Sequence, residues 1–414
     1  MTVTTLEPLR GTGTVPARRP AAAWWRVAAA MFVIGWGGNQ FTPLLVEYRA
    51  IGGFSRLDVD TFLGAYVLGL IPGLLVAAAV SEVRGRRPVL LFGLWSSLGG
   101  TLLLSSGVHA GYPGIIGGRM LSGVAVGVAM SVGTSWVTEL SGGGRSGAGA
   151  RRAALWLTAG LALGPASAGL LAQVAPPLTW PYLVHALLCV PALLLVAGAR
   201  WAETRPRDVD AAPLLRRLRV PAARHRRFRS VVLPMAPWVF GSAGIAYAIV
   251  PALVEDSVGH YQLLFAAGLA VGTLGTGVLV QPIARRLDDA SSARAIVVSM
   301  GLMTLGVVMA AVTAATGSPW LAVPVALLLG GAYGIAVVSG LLEVQRIARP
   351  DELAGLTGLY YALCYVGFLF PAALAALAHW FDYPVMLGAL ALLAAGCTAR
   401  CGAGWSKHLP ARQI

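Results

Sequence analysis

Long uncharged apolar runs alternate with short charged turns along almost the whole chain. A helix needs about 20 mainly apolar residues to cross a hydrocarbon core. Twelve such segments can be placed, at roughly 24–46, 59–80, 89–108, 113–138, 152–174, 179–199, 231–254, 260–282, 293–315, 319–342, 354–377 and 383–402. The sharpest break in the pattern is Val80–Val89, VSEVRGRRPV, between the uncharged runs Thr61–Val80 and Val89–Val108. Gly85 supplies a tight turn there. Arg84, Arg86 and Arg87 cluster around it, and Pro88 opens the next helix where a missing N–H costs nothing. A basic hairpin this short between two apolar helices marks the cytoplasmic side of a membrane.

Composition agrees. Of 414 residues, 57% are hydrophobic and 12% charged, against about 25% charged in soluble domains. The net charge of +14 sits in short loops between apolar segments, a placement that orients a membrane protein and gives no nucleic-acid face. Arg84, Arg86, Arg87, Arg145, Arg151, Arg152, the Arg200–Arg229 loop, Arg285, Arg286, Arg294, Arg346, Arg349 and Lys407 fall on one side, and only Arg49 and Arg56 on the other. Both termini are therefore expected in the cytoplasm, with the plasma membrane as the location. The expected organisation is a cytoplasmic tail (1–23), a six-helix bundle (24–199), a basic linker (200–230) suited to the anionic leaflet, a second six-helix bundle (231–402) and a final tail (403–414). Cys189, Cys364, Cys397 and Cys401 have no metal-ligating spacing with His or carboxylates, so they read as packing residues. No metal or cofactor is implied.

The hairpin resembles the loop between helices 2 and 3 of the major facilitator superfamily, G-x-x-x-D-R-x-G-R-R. Glu82 stands for the aspartate, Gly85, Arg86 and Arg87 match, and Ala78 and Val83 depart from the pattern. A weaker echo lies at Gly277–Leu287, with Gln281, Arg285 and Arg286 in the corresponding places. Gly127–Glu139 is likewise answered by Gly331–Glu343, and Gly164-Pro165 by Phe370-Pro371. Together they suggest a 6+6 repeat. The implied fold is an all-α membrane protein of twelve transmembrane helices in two six-helix halves.

Helix 5 carries GLALGPASAG at 160–169, which resembles the G-x-x-x-G-P-x-x-G-G pattern of twelve-helix drug/proton antiporters, with Ala168 in place of one glycine. Gly160, Gly164 and Ala168 form a flat face for close helix contact, expected to meet a helix of the other half, and Pro165 can bend the helix. Plain small-residue packing is the alternative. Arg119, Gly123 and Gly127 in helix 4 resemble the R-x-x-x-G-x-x-x-G pattern of the same superfamily. A charge at that depth should face the bundle interior, with Asn39 and Gln40 of helix 1 as acceptors, unless it snorkels to headgroups. The resemblance implies proton transfer or helix 1–helix 4 contact for Arg119, and a gating role for Glu82 and Arg86 in holding the halves together.

No carboxylate falls in the middle of a span: Glu47, Asp58, Glu139 and Glu343 lie near span ends. His185 is the deep titratable candidate, and a single buried His is more often structural. Substrate contacts are expected near the midplane from Trp36, Asn39 and Gln40, Tyr247, Tyr333 and Tyr365, a patch that suits hydrophobic or weakly cationic molecules. There is no nucleophile–base pair at a shared depth and no GxxxxGK[ST] loop, so an enzyme is not expected. The resulting expectation is a monomeric secondary transporter exporting small organic or drug-like molecules in exchange for protons, in contact with membrane lipids. Proton symport or import of a small metabolite on the same fold is the alternative.

Overall fold

The computed structural model describes residues 24–106, 109, 111–141, 148–203, 220–349 and 353–405, and among them the structure is helical with no strand. The expected amino-terminal tail, most of the linker and the last nine residues lie outside this set. The main helices are α1 Trp24–Asn39, α2 Arg56–Arg84, α3 Arg86–Ser105, α4 Gly111–Leu140, α5 Ala148–Val174 and α6 Trp180–Ala197. There follow α7 Phe228–Leu253, α8 Glu255–Leu279, α9 Arg294–Thr316, α10 Pro319–Ile347, α11 Gly355–Leu377 and α12 Tyr383–Ala403.

Eleven of these are long and apolar enough to cross a membrane. The exception is α1, whose 16 residues reach only about 24 Å at 1.5 Å per residue. The expected run 24–46 is broken: Gly37 and Gly38 weaken the helix, the chain turns through Gln40–Leu44, and a short helix resumes at Leu45–Ala50. The Thr42 amide bonds the Asn39 carbonyl at 3.1 Å instead of the carbonyl four residues back.

Glycines set how closely the helices approach. A Cβ on Gly123 would stand 1.9 Å from the Tyr66 carbonyl oxygen, and one on Gly127 2.5 Å from that of Leu70. From the other side, a Cβ on Gly69 would stand 1.9 Å from the Met120 carbonyl oxygen. Thus α2 and α4 meet backbone to backbone, the contact that small residues four apart allow.

The face of α5 behaves differently from expectation. Cβ atoms on Gly160 and Gly164 would meet the carbonyl oxygens of Phe32 and Trp36 at 2.1 and 2.4 Å. This face therefore packs on α1, in the same half of the chain. The contact with the other half comes further along, where a Cβ on Gly169 would lie 2.5 Å from that of Ala267 on α8. Helix α5 runs unbroken through Pro165.

One large buried cluster comes mainly from α1–α6 and the other from α7–α12. They meet at Tyr247, Tyr365 and Phe368, which lie on α7 and α11 yet pack with the first cluster. At the end holding the Val80–Val89 hairpin, each half has its own charged clamp. Gly85 turns at φ +92°, and the Glu203 carboxylate accepts the Arg86 and Arg87 amides at 2.7 and 3.1 Å, where the helix dipole of α3 favours a negative group. Arg86 pairs with Glu139 at 3.0 Å and donates to Ser81 Oγ at 2.6 Å. Arg87 donates to the carbonyls of Val196 and Ala197. In the second half, fully buried Arg227 pairs with Glu343 at 2.7 Å and donates to the carbonyls of Gly404 and Trp405. Arg346 joins Glu343 to Asp288. Beside it, the loop acid Asp289 is held down at about 2 by the Ser291 amide and the hydroxyls of Ser291 and Ser292, which keeps it ionised at working pH.

Two stability predictions follow from these contacts. Gly123→Ala should lower the thermal stability of the purified protein by at least about 1–3 kcal/mol, the usual cost of overpacking, because its neighbour is backbone and cannot rotate away. Glu343→Ala leaves Arg227 buried without a carboxylate and should cost about 3–5 kcal/mol. Unfolding curves like wild type for either variant would contradict the packing described.

Candidate functional site

Helix α4 points Arg119 into the interior, where it is 1% exposed. Its Nε donates to the Phe62 carbonyl on α2 at 3.2 Å, and Nη1 to the Gly38 carbonyl at the end of α1 at 3.3 Å. The guanidinium lies 4.5 Å from the Phe41 ring centroid and 4.8 Å from that of Tyr66. It makes no ion pair among the described residues. The expectation of an interior Arg119 holds. Its partners are backbone carbonyls and ring faces, however, not the amides of Asn39 and Gln40. Asn39 instead donates to the Leu161 carbonyl on α5 at 2.9 Å and accepts from Thr42. Gln40 is fully buried with both amide atoms unpartnered.

Arg119 lines a cavity of about 30 Å³ between the halves, room for about one or two waters. The same cavity is lined by Gly38, Asn39, Leu63, Tyr66, Leu161, Phe240, Tyr247, Leu274, Tyr333, Tyr365 and Phe368. Phe240 is its aromatic centre, stacked on Tyr365 at 4.2 Å and on Phe368 at 5.3 Å, with Tyr333 at 5.6 Å. Tyr66 approaches Tyr365 and Phe368 from the first half at 6.3 Å. The Tyr365 hydroxyl donates to Met130 Sδ at 3.2 Å. Met130 and Tyr247 both sit in π-helical turns, Ala129–Gly133 and Ile245–Ile249, irregularities often found at functional sites.

Of the sequence-derived substrate set, Asn39, Tyr247, Tyr333 and Tyr365 thus come together at this cavity. Trp36 lies on the α5 side of α1, edge-on to Phe32 at 5.8 Å, and Gln40 does not line the cavity. Tyr66, Phe240 and Phe368 were missed. His185 is a packing group: Nε2–H donates to the Val33 carbonyl at 2.9 Å, and Nδ1 lies 2.7 Å from the Thr101 hydroxyl. Glu82 is exposed on the last turn of α2, and the pairing of Arg86 with Glu139 stays within the first half.

Among the described residues, the ion pairs seen to cross between halves lie at the opposite end. Arg49, on the short helix after α1, pairs with Glu255 at the start of α8 at 2.5 and 3.3 Å. Arg56 reaches Glu255 at 3.5 Å, donates to the Ala252 carbonyl at 3.0 Å and covers the Tyr383 ring at 5.2 Å. Beneath them is a second cavity of about 30 Å³, lined by Arg49, Arg56, Asp60, Tyr247 and Tyr383 among others. Asp60, 5% exposed, is the buried carboxylate that the sequence reading passed over.

The sequence profile of the Major Facilitator Superfamily matches residues 27–372. The chain belongs to this superfamily. It is accordingly a multi-pass membrane transporter rather than an enzyme. A 175-residue stretch is 26% identical to the 3-(3-hydroxy-phenyl)propionate transporter of Escherichia coli (strain K12), covering 40% of this chain and 41% of that one. Solved structures with the same fold include a POT family transporter in complex with 5-aminolevulinic acid, with TM-score 0.74, 11% identity, and coverage of 93% of this chain and 96% of that one. Another is a POT family transporter in complex with a thioalcohol-conjugated peptide, with TM-score 0.72, 12% identity and the same coverage. Within this superfamily fold, the cavity between the halves is the candidate site and the Arg49–Glu255 end its candidate gate.

Glu255→Gln removes the charge that holds both arginines. Cysteines placed on the two halves at that end should then react with a water-soluble thiol reagent several-fold faster than in the otherwise wild-type background. Unchanged labelling would mean that these ion pairs do not hold the end closed.

Proposed function

We propose that this is a proton-coupled symporter of small aromatic carboxylates, working by alternating access between two six-helix halves of a twelve-helix protein. It lies in the plasma membrane with both termini and the Val80–Val89 hairpin in the cytoplasm, so the Arg49–Glu255 end faces outward and is closed here. The observation that carries the substrate class is the Arg119 guanidinium in the wall of an aromatic cavity, with no carboxylate beside it. A buried cation with only dipoles and ring faces as partners is expensive. An incoming carboxylate supplies the missing charge through the planar donor fork of arginine. Phe240, Tyr365 and Phe368 offer ring faces for the aromatic part. The likeness to a 3-(3-hydroxy-phenyl)propionate transporter points to the same chemistry.

This reading departs from export of hydrophobic or weakly cationic molecules in two respects. The cavity is positive, so a cationic substrate would meet repulsion from Arg119. The face of Gly160 and Gly164 packs on α1, so that glycine pattern no longer argues for an antiport seal between halves. An anion carried with a proton moves without net charge, which suits uptake driven by a proton gradient.

The test is uptake of labelled hydroxyphenylpropionate and benzoate-type acids into proteoliposomes, acid outside. Accumulation should collapse with an uncoupler. Arg119→Ala should reduce uptake by at least about tenfold, one lost charge-assisted hydrogen bond being worth about 1.5–3 kcal/mol. Arg119→Lys should recover part of it. Equal uptake of the corresponding aromatic amines, or normal uptake by Arg119→Ala, would overturn the reading.

A further inference from the structure

Asp60 occupies an unusual position. It lies one turn into α2, four residues after Arg56 on the same helix, a spacing at which opposite charges ordinarily pair. Here they do not. Arg56 is turned to Glu255, the Ala252 carbonyl and the Tyr383 ring, and Arg49 is taken by Glu255 in a two-point contact. Asp60 is left 5% exposed with neither a hydrogen bond nor an ion pair among the described residues, facing the small cavity under the gate. The charged and titratable groups around it are Arg49 from the first half, Arg56 from its own helix, Glu255 from α8, and the phenols of Tyr247 on α7 and Tyr383 on α12. No histidine lines this cavity.

We propose that Asp60 is a proton-binding site of the outer gate, and that binding a proton there closes the gate. The physical basis is competition: Asp60 and Glu255 are rival acceptors for the same two arginines. Arg49, Arg56 and Asp60 belong to the first half and Glu255 to the second, so opening the gate pulls the arginines away from Glu255. Asp60 is then the carboxylate within reach of Arg56, and its ionised form is favoured by that pairing and by outside water. Closing returns the arginines to Glu255 and leaves Asp60 buried with both guanidinium groups nearby but no direct ion pair, so that burial outweighs their pull and favours its neutral form. The proton comes from hydronium in the outer water. One O–H bond forms at a carboxylate oxygen, and the four-group cluster gains one positive charge. By linkage, a state that prefers the protonated group is populated as pH falls, so acid outside closes the outer gate. Tyr247 is the one residue shared by this cavity and the central one, which sets the proton site one side chain away from the substrate site.

The proposal rests on alternating access with gated ends but not on the substrate, so its test contains none. Spin labels at Ile51→Cys and Ser257→Cys, exposed positions on opposite halves at this end, report gate distance in lipid nanodiscs at about pH 8 and about pH 5, a window in which phenols and guanidinium groups ordinarily do not titrate. In the otherwise wild-type protein the short-distance population should grow on acidification. A one-unit difference in proton affinity between open and closed states amounts to about a tenfold shift. Asp60→Asn, which mimics the protonated form, should show the short distance at both pH values. Asp60→Glu, which keeps a titratable carboxyl, should retain the pH response and so separates loss of the proton site from loss of fold. An Asp60→Asn gate that follows pH as wild type does, or a wild-type gate that ignores pH, would overturn the proposal. Failure of aromatic-acid uptake with this response intact would count against the substrate class alone.

Discussion

A guanidinium buried without a carboxylate is the constraint on which the middle of this molecule depends. Arg119 is tolerated because three local devices converge on it. The close approach of α2 to α4, set by Gly123, Gly127 and Gly69, brings the Phe62 carbonyl and the Tyr66 ring within reach. The break after α1 turns the Thr42 amide to Asn39 and leaves the Gly38 carbonyl to accept from Arg119. The same turn places Phe41 over the cation. Remove any one device and the cost of the charge rises, because the buried guanidinium then loses one of its few partners. Rings and carbonyl dipoles offset only part of that cost, and the proposed carboxylate substrate would offset the rest.

The other charges divide by their place in the fold. At the hairpin end, the clamps of Arg86 on Glu139 and Arg227 on Glu343 each fasten one half to itself. At the opposite end, Arg49 and Arg56 reach across to Glu255. Clamps inside a half let it move as a body, whereas contacts between halves must break for it to move. That division suits the proposed alternating access: rigid units, with labile contacts at the candidate gate.

How much of this was legible beforehand depended on whether a feature is local. Apolar length and the placement of arginines are local, so the helices and the hairpin could be read directly, and the interior placement of Arg119 with them. The echo of Glu139 in Glu343 was legible too, and both turn out to hold arginines at the ends of their helices. Partners were not legible. The small-residue face of α5 announced a close backbone neighbour, but nothing in those residues says that the neighbour is α1 and not a helix of the other half. Asp60 did not stand out, since its burial is imposed by residues of α7, α8 and α12 far away in sequence. Tyr66, Phe240 and Phe368 were hidden for a related reason. In an apolar run every aromatic residue is acceptable to lipid and to a neighbouring helix alike, so the run does not reveal which face looks into the cavity.

The central claim is that the site recognises negative charge through Arg119, and equilibrium binding tests it without involving transport. Purified protein titrated with a hydroxyphenylpropionic acid and, separately, with its neutral amide differs only in the charge offered to the guanidinium. The acid is expected to bind at least about tenfold more tightly, a gap of about 1.4 kcal/mol or more, and the gap should vanish in Arg119→Ala. Equal affinity for acid and amide in the wild-type protein would contradict it.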